Sequence, residues 1–305
     1  MSTRYPGTID PSIAQLLRAA DAPDRLVARV RSLAPDLAIT GALACVEPPA
    51  VDGPDRAEAG WLARDGYAVL PGAVPDRETR ARLISAIEGV MAVGLPAVFV
   101  YLLDDIWLAG ERLRARASAM LGTRYVLGED GWAWSIPPGG AGWPQHRDDG
   151  RPFDRAAPER LNVWVALSDV TAERACMYVV PLDADPDYPA MTGPAAPPLE
   201  TIRALPVPGG TALAWNANLL HWGGGCSLRA PGPRVAFSFT FFRADYLARN
   251  KERTVDAARL DVPARLDMIA QVIDSYGGDK RPPDVSPAVA RWAAASAALR
   301  ARIED

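Results

Sequence analysis

The spacing of apolar positions changes twice along the chain, so that a helical part, an extended part and a second helical part follow one another. Up to about residue 120, apolar residues recur every three or four positions, which is typical of amphipathic helices. From Tyr125 onwards, short apolar segments alternate with polar residues and are separated by turns rich in proline and glycine. The helical spacing returns near Leu266. The pattern predicts a mainly β core with helices on both sides.

The first helical part predicts two short amphipathic helices within residues 11–34 and a loop over residues 35–56. A short strand is expected at residues 66–72, where Pro-Gly stops it. Apolar residues then have helical spacing from Asp76 to Gly94. A further helix is predicted over residues 104–120.

Seven strands and two more helices are predicted in the rest of the chain. The strands cover residues 123–128, 131–136, 160–168, 176–181, 203–207, 211–215 and 234–242, and the helices cover residues 266–276, before Gly277-Gly278, and residues 287–303. Many short strands between turns are typical of a sandwich or a barrel.

Alternation along the last predicted strand assigns its side chains to two different faces. One face carries Val235, Phe237, Phe239 and Phe241, and the other carries Arg234, Ala236, Ser238 and Thr240. The phenylalanine face favours burial against a covering layer, whereas the small polar face leaves room for a ligand beneath Arg234.

The segment over residues 161–167 has the same alternation. Leu161, Val163, Val165 and Leu167 are expected to face a hydrophobic layer. Asn162, Trp164 and Ala166 are then expected to face the cavity. The two strands together predict one apolar and one ligand-facing side of a sheet.

Only two histidines occur in the chain, and both lie in the extended part. His146 and Asp148 are two residues apart, so an extended backbone points them to the same side. His221 can complete the set from another strand. Two histidines and one carboxylate with open positions form the ligand set preferred by non-haem Fe(II) that activates O₂. On the triplet alone, a surface or capping pair remains an alternative interpretation.

Arg234 is a candidate to hold the distal carboxylate of 2-oxoglutarate. A guanidinium offers paired donors to a carboxylate and stays charged when it is buried. A salt bridge at a strand end is the alternative role for this arginine. The two histidines nearby favour the ligand role.

Composition narrows the classes of function. With 305 residues, of which 49% are hydrophobic, the chain can bury a large core in one domain. The formal net charge is -4 and the basic residues form no stripe, which argues against a nucleic-acid partner. The three cysteines are widely spaced, which suits a reducing compartment. No secretory signal and no long uncharged apolar run are found, so we expect a cytoplasmic protein without a membrane contact.

Several motifs occur in the same order as in the phytanoyl-CoA dioxygenase-like family of Fe(II)- and 2-oxoglutarate-dependent oxygenases. The sequence resembles this family over roughly residues 63–243. The motifs are Asp65-Gly66-Tyr67-Ala68-Val69-Leu70-Pro71-Gly72, His146-Arg147-Asp148, Leu161-Asn162-Val163-Trp164-Val165-Ala166-Leu167-Ser168-Asp169-Val170, Cys176-Met177-Tyr178-Val179-Val180-Pro181, His221 and Pro233-Arg234. The resemblance implies a double-stranded β-helix, or jelly-roll, of the cupin-like kind. It also implies a single domain over residues 1–305. The expected parts are a helical N-terminal extension at 1–62, a jelly-roll core with inserted helices at 63–243 and C-terminal helices at 244–305.

By this resemblance His146, Asp148 and His221 are the iron ligands and Arg234 holds 2-oxoglutarate. Trp164 matches an aromatic position near the co-substrate, and Asn162 is expected to face the same space. The chain departs from the family pattern at Gly223, where a serine is often found, so Ser238 or Thr240 is the expected hydroxyl partner of 2-oxoglutarate.

The implied cofactors are Fe(II), 2-oxoglutarate and O₂, and the implied reaction hydroxylates, desaturates or cyclises a small molecule with release of succinate and CO₂. An amino acid or a natural-product intermediate is the expected substrate. The carboxylate of Asp148 argues against halogenation, because related halogenases have a small residue there. Two other classes remain open: a cupin-like isomerase or hydrolase that uses the same three residues, and a catalytically silent jelly-roll binding module. The sequence leaves open whether the protein is a monomer or a homodimer.

Overall fold

The computed structural model describes residues 22–41, 43, 56–74, 76–191, 197–256 and 260–275. The helix expected before residue 22, the helix at 287–303 and the Gly277-Gly278 stop lie outside the described residues. Within the described residues, the helices are α1 (Ala22–Leu33), α2 (Arg56–Asp65), α3 (Arg77–Ala92), α4 (Asp104–Leu121), α5 (Ala244–Leu247) and α6 (Val262–Ser275). Short 3₁₀ helices cover Ala97–Leu102 and Leu199–Thr201. The strands are β1 (Tyr67–Leu70), β2 (Tyr125–Leu127), β3 (Ala133–Ile136), β4 (Arg160–Ala166), β5 (Met177–Val180), β6 (Arg203–Leu205), β7 (Ala212–Asn216), β8 (Leu220–Gly223) and β9 (Arg234–Arg243).

The strands form two antiparallel sheets. The larger sheet has the order β1-β7-β4-β9-β2, and β3 also pairs with β9. The smaller sheet has the order β6-β5-β8. All neighbours in the larger sheet, and the pair β5 and β8 in the smaller one, are non-consecutive strands, which is the crossing connectivity of a jelly-roll. The predicted mainly β fold with a jelly-roll core is confirmed.

The larger sheet separates an apolar layer from the cavity side, as the alternation predicts. Its outer side chains, which include Val163 of β4 and Phe237 and Phe239 of β9, pack in one buried cluster with the surrounding helices. Trp164 and Ala236 point the other way and join a second cluster that includes residues of the smaller sheet. The two faces of β4 and β9 are therefore correctly predicted.

Two elements differ from what the sequence predicted. The helix Arg56–Asp65 runs through the expected boundary at residues 62–63, so the N-terminal extension and the core are joined by a continuous element. Strand β8 was not among the predicted strands, although it carries His221. The described parts of the chain contain no helix that is long and apolar enough to cross a bilayer.

Candidate metal centre

His146, Asp148 and His221 converge on the wall of an open cavity between the two sheets. One ligand atom of each residue lies within 4.8 Å of the others. His146 Nε2 is 3.5 Å from Asp148 Oδ1, and His221 Nε2 is 3.6 Å from Asp148 Oδ2. These separations suit nitrogen and oxygen ligands that share one ion, because such metal bonds are about 2.0–2.2 Å long. The three residues that the sequence predicted as ligands are brought together.

Backbone pairing sets the distance between the two histidines. The amide of each donates to the carbonyl of the other at 3.0 Å, so His146 forms an isolated bridge beside β8. Gly142 is required for this approach, because a Cβ there would lie 1.9 Å from the carbonyl oxygen of Gly223. The amide of Asp148 donates to Ala217 O at 3.0 Å and fixes the third ligand.

Both imidazoles are held through their Nδ1 atoms. His146 Nδ1 lies 2.8 Å from Pro144 O, and His221 Nδ1 lies 2.9 Å from Leu219 O. A carbonyl acceptor fixes the proton on Nδ1 and leaves Nε2 as the free lone pair. Each ring therefore presents Nε2 toward Asp148, which is the tautomer that a metal ligand needs.

The carboxylate of Asp148 is oriented by two donors from the larger sheet. Trp215 Nε1 donates to its Oδ2 at 3.0 Å, and Asn162 Nδ2 donates to the same oxygen. These contacts depend on the pairing of β4 with β7, which places Asn162 opposite Trp215. The sequence offered no signal for Trp215, because the register between the two strands is not visible in it.

The charge states of the three residues suit a divalent cation. Burial opposes ionisation of Asp148, but His221 and His146 and the hydrogen bond from Trp215 outweigh it and hold the pKa of Asp148 well below its usual range. Burial lowers the pKa of His221, although Asp148 opposes it. Burial also acts to lower the pKa of His146, but the hydrogen bond and charge of Asp148 leave that pKa raised. A metal requires an ionised carboxylate and neutral imidazoles. Of the two imidazoles, His146 is therefore the one for which protons compete more strongly with a metal.

Arg234 lies in the same cavity and is only 2% exposed. Its Nη1 donates to Ala175 O at 3.2 Å, and its guanidinium lies 5.4 Å from the ring centroid of Trp164. The arginine therefore points inward from the start of β9 and does not form a solvent-facing strand end. Its position agrees with the role predicted for it.

Gly223 explains one departure from the family pattern. A Cβ at this position would lie 3.0 Å from Arg234 Nη1. Such a distance is tighter than ordinary van der Waals contact, so a serine here would press on the guanidinium where it now lies. The absence of a side chain at Gly223 therefore allows Arg234 its present position.

The other residues predicted to contact 2-oxoglutarate all line the cavity, but at different places. Trp164 lies beside Arg234. Ser238 Oγ accepts from the amide of Trp132 at 3.4 Å. Asn162 and Thr240 lie beside the metal site, where Thr240 Oγ1 is 2.9 Å from Asn162 Oδ1. Their contact with 2-oxoglutarate stays a prediction.

Two charged residues that sequence reasoning missed line the end of the cavity that is remote from Arg234. Asp130 and Arg160 form an ion pair of 3.2 Å. Burial raises the pKa of Asp130, while Arg160 opposes that rise. Asp130 lies in the bend between β2 and β3, and nothing in its local sequence marks it as a cavity residue.

The aromatic residues near the metal motif divide between the cavity and the outside. Trp134 and Trp143 line the cavity. Trp222 does not, because it follows His221 on β8 and stacks on Tyr178 at 5.7 Å between ring centroids. This follows from strand geometry, since neighbouring residues on a strand point to opposite faces.

Comparison with known proteins agrees with this geometry. The family profile described as Phytanoyl-CoA dioxygenase (PhyH) matches residues 96–227, a range that contains all three candidate ligands. Among curated proteins none matches this chain.

Solved structures of similar fold include several enzymes. The carbocyclase SnoK from nogalamycin biosynthesis, titled non-heme and alpha ketoglutarate dependent, is 16% identical. The match covers 66% of this chain and 93% of that one, with a TM-score of 0.50. The epimerase SnoN from the same biosynthesis is 24% identical over 62% of this chain and 82% of that one, with a TM-score of 0.49. EctD from S. alaskensis, crystallised with 2-oxoglutarate and 5-hydroxyectoine, is 19% identical over 74% and 93%, with a TM-score of 0.48.

The likeness to SnoK, at 16% identity, shows a shared fold. The profile match is the more direct result, because it covers the segment from the first 3₁₀ helix to the turn after β8. The resemblance drawn from the motifs is thereby confirmed for residues 96–227, which match the profile of the phytanoyl-CoA dioxygenase family.

Proposed function

We propose that this enzyme hydroxylates, desaturates or cyclises a small molecule, and that His146, Asp148 and His221 hold its iron. The observation that carries the proposal is the convergence of these three side chains in the cavity that also contains buried Arg234. An isomerase or hydrolase has no need of a second fixed cation in the same cavity. A silent binding module has no need of an oriented Nε2 pair and an oriented carboxylate.

The donor set fits Fe(II) by its chemistry. Two imidazoles and one carboxylate leave coordination positions open, and this set is typical of non-haem iron oxygenases. When bound, iron together with 2-oxoglutarate and O₂ supplies the oxidising chemistry and releases succinate and CO₂. The protein contributes position, charge and the exclusion of competing reactions.

The side chains have separate tasks in this proposal. The Nδ1 contacts of the histidines and the donors from Asn162 and Trp215 hold the ligand atoms in place. Arg234 binds the distal carboxylate of 2-oxoglutarate through paired donors. Trp164 forms the wall beside that guanidinium, and Ser238 or Thr240 supplies a hydroxyl along the co-substrate.

The substrate is proposed to be an amino acid or a natural-product intermediate. Trp134 and Trp143 supply aromatic surface to the cavity, and Asp130 and Arg160 supply charge. Small-molecule pockets of this kind combine apolar walls with a few placed polar groups. We further propose that the chain works as one domain in the cytoplasm, with the described helices as a cover of the larger sheet.

Anaerobic reconstitution with Fe(II) and 2-oxoglutarate tests the assignment of the site. The expected result is a visible charge-transfer band in the wild type and formation of succinate after O₂ is admitted. His221→Ala is expected to lose the band because one ligand is missing. Arg234→Ala is expected to require a far higher 2-oxoglutarate concentration for the same band.

Arg229→Ala is the matched control, because Arg229 is 81% exposed and pairs only with Glu173 among the described residues. Its band and its 2-oxoglutarate requirement are expected to equal those of the wild type. A band of unchanged intensity in a folded His221→Ala variant would contradict the ligand assignment. An unchanged 2-oxoglutarate requirement in Arg234→Ala would contradict the role of Arg234 alone.

A further inference from the structure

The end of the cavity remote from Arg234 contains a carboxylate whose hydrogen-bonding capacity is only partly used. The side chain of Asp130 is 42% exposed and lines the cavity. It accepts from Arg160 Nη2 at 3.2 Å and lies 3.3 Å from Thr240 Oγ1. Both contacts end on Oδ2. Among the described residues, Oδ1 has no hydrogen-bond donor.

The contact with Thr240 does not give Asp130 a second hydrogen bond. The hydroxyl of Thr240 carries one proton and lies closer to Asn162 Oδ1, at 2.9 Å, than to Asp130 Oδ2, at 3.3 Å. The amide Nδ2 of Asn162 already donates to Asp148, so its Oδ1 is an acceptor. The proton of Thr240 therefore goes to Asn162. Asp130 is left with one well-placed donor, Arg160, for an ionised group that can accept about four hydrogen bonds.

Asp130 is nonetheless close to the proposed iron site. Asp130, Thr240, Asn162 and Asp148 follow one another as neighbours in hydrogen-bonding distance. Its backbone is fixed too, because the amide of Thr240 donates to Asp130 O at 3.3 Å. Asp130 and Arg234 are separated along the cavity wall, since Arg234 begins β9 and Thr240, the neighbour of Asp130, lies toward the other end of that strand. A molecule held at Asp130 therefore does not compete with 2-oxoglutarate for Arg234.

We propose that Asp130 binds the substrate, and that its Oδ1 accepts a hydrogen bond from a protonated amine of that substrate. This inference rests on the proposed function and narrows its substrate class to small molecules that carry an ammonium group. Arg160 holds Asp130 in place through Oδ2 and leaves Oδ1 to the ligand. Asp130 is a substrate-binding residue in this proposal, and it takes no part in the oxidation.

The carboxylate of Asp130 favours an ammonium group over other small polar groups. An ionised carboxylate accepts hydrogen bonds but donates none, so it repels a ligand carboxylate or phosphate. A hydroxyl group can donate a hydrogen bond to Asp130, but it brings no positive charge. An ammonium adds opposite charge, and charge-assisted bonds are shorter and roughly twice as strong as neutral ones. The ammonium also compensates for the burial that raises the pKa of Asp130.

Three probes of equal length test the choice: butylammonium chloride, 1-butanol and sodium butyrate. Each is titrated at constant ionic strength into the anaerobic Fe(II) and 2-oxoglutarate complex, and the shape of the charge-transfer band reports binding. Thermal unfolding of the metal-free protein with each probe is the second readout. We expect butylammonium to bind at least about tenfold more tightly than the other two.

Asp130→Asn is expected to lose that preference, because the amide keeps the shape of the side chain but removes its charge. Glu129→Gln is the matched control, because Glu129 is the preceding residue and pairs with Arg253 outside the cavity. This control is expected to keep the preference for butylammonium. If Asp130→Asn does not fold, the comparison of the three probes on the wild type still decides between an ammonium and a neutral or anionic ligand.

Three outcomes overturn the inference: equal affinity for butylammonium and 1-butanol, no detectable butylammonium binding, or an undiminished preference in folded Asp130→Asn. Failure of the proposed function has a different signature. In that case no charge-transfer band forms, while the thermal readout on the metal-free protein still reports whether Asp130 binds an ammonium.

Discussion

At the scale of single residues, the candidate iron site depends on side chains that do not touch the metal. Asp148 has the correct direction because Trp215 and Asn162 donate to its Oδ2. Partners of this kind commonly change metal affinity by about 10–100-fold when they are removed. The sequence identified the three ligands but not Trp215, since its role follows from the register of β4 against β7.

Trp215→Phe removes one donor to Asp148 and keeps most of the ring. We expect the affinity for Fe(II), or for Co(II) as a stable substitute, to fall about tenfold. Trp222→Phe is the control, because Trp222 stacks on Tyr178 on the opposite face of β8. Metal titrations followed by absorbance measure both variants. Equal affinities in the two variants would speak against the role of the indole donor.

The glycines after His221 allow a second comparison between matched residues. Gly223→Ala places a Cβ about 3.0 Å from Arg234 Nη1, whereas a Cβ at Gly225 finds its nearest neighbour at 3.6 Å. We expect Gly223→Ala to weaken 2-oxoglutarate binding about tenfold, as overpacking typically costs about 1–3 kcal/mol. Gly225→Ala is expected to bind 2-oxoglutarate like the wild type. The dissociation constant of 2-oxoglutarate from the anaerobic Fe(II) complex is the measurement, and its equality in the two variants would refute the effect.

At the scale of elements, regular patterns in the sequence predicted the structure well and interrupted patterns did not. Strands β4 and β9 alternate without a break, so both their existence and their two faces were predicted. Strand β8 has four residues and ends in a glycine run, and it exists because β5 pairs with it. Its pairing is a long-range contact that no local pattern contains. The element that carries His221 was therefore missed, although His221 itself was found.

Helix α3 begins where its N-terminal signal predicts. Asp76 caps it by accepting from Thr79 N at 2.6 Å. The hydrogen bonds with Thr79 lower the pKa of Asp76 below its ordinary value of 3.8. The hydrogen bonds with Thr79 favour the ionised carboxylate in the folded state only. The cap therefore contributes its full stability at pH values above the ordinary pKa of Asp76. That contribution is lost as the pH falls through the lowered pKa.

Asp76→Ala is therefore expected to reduce the free energy of unfolding at neutral pH, and the difference from the wild type is expected to shrink in acid. Urea unfolding over a series of pH values measures it. Asp76→Asn is the control, since an amide oxygen still accepts from Thr79 but does not titrate. A difference between wild type and Asp76→Ala that stays constant down to the acid limit would contradict the assignment.

At the scale of the whole molecule, a buried ion pair joins the helix near the C-terminus to the core. Arg265 is fully buried, and its Nη1 donates to Asp104 Oδ1 at 2.5 Å and to Leu102 O at 2.7 Å. Asp104 also accepts from the amide and the hydroxyl of Thr40. Three distant parts of the sequence meet at one carboxylate. The spacing of apolar residues predicted helix α6 but could not predict this junction, because it joins residues far apart in the chain.

Arg265→Ala leaves the carboxylate of Asp104 buried without its cation. The expected loss of stability is about 3–5 kcal/mol, as is usual when one partner of a buried pair is removed. Arg253→Ala breaks a pair whose arginine is 55% exposed, and a loss below about 1 kcal/mol is expected there. Denaturant unfolding at neutral pH compares the two variants. Similar losses would show that Arg265 packs as a hydrophobic stem and contributes little through its charge.

The reciprocal hydrogen bonds between the amides and carbonyls of His146 and His221 make the metal site a continuation of the smaller sheet. The spacing of the two imidazoles is consequently set by strand registry, so we expect it to be the same with and without the metal. Iron should then bind without a rearrangement of the backbone at His146 and His221. Amide deuterium exchange at these two residues would be equally slow with and without the ion.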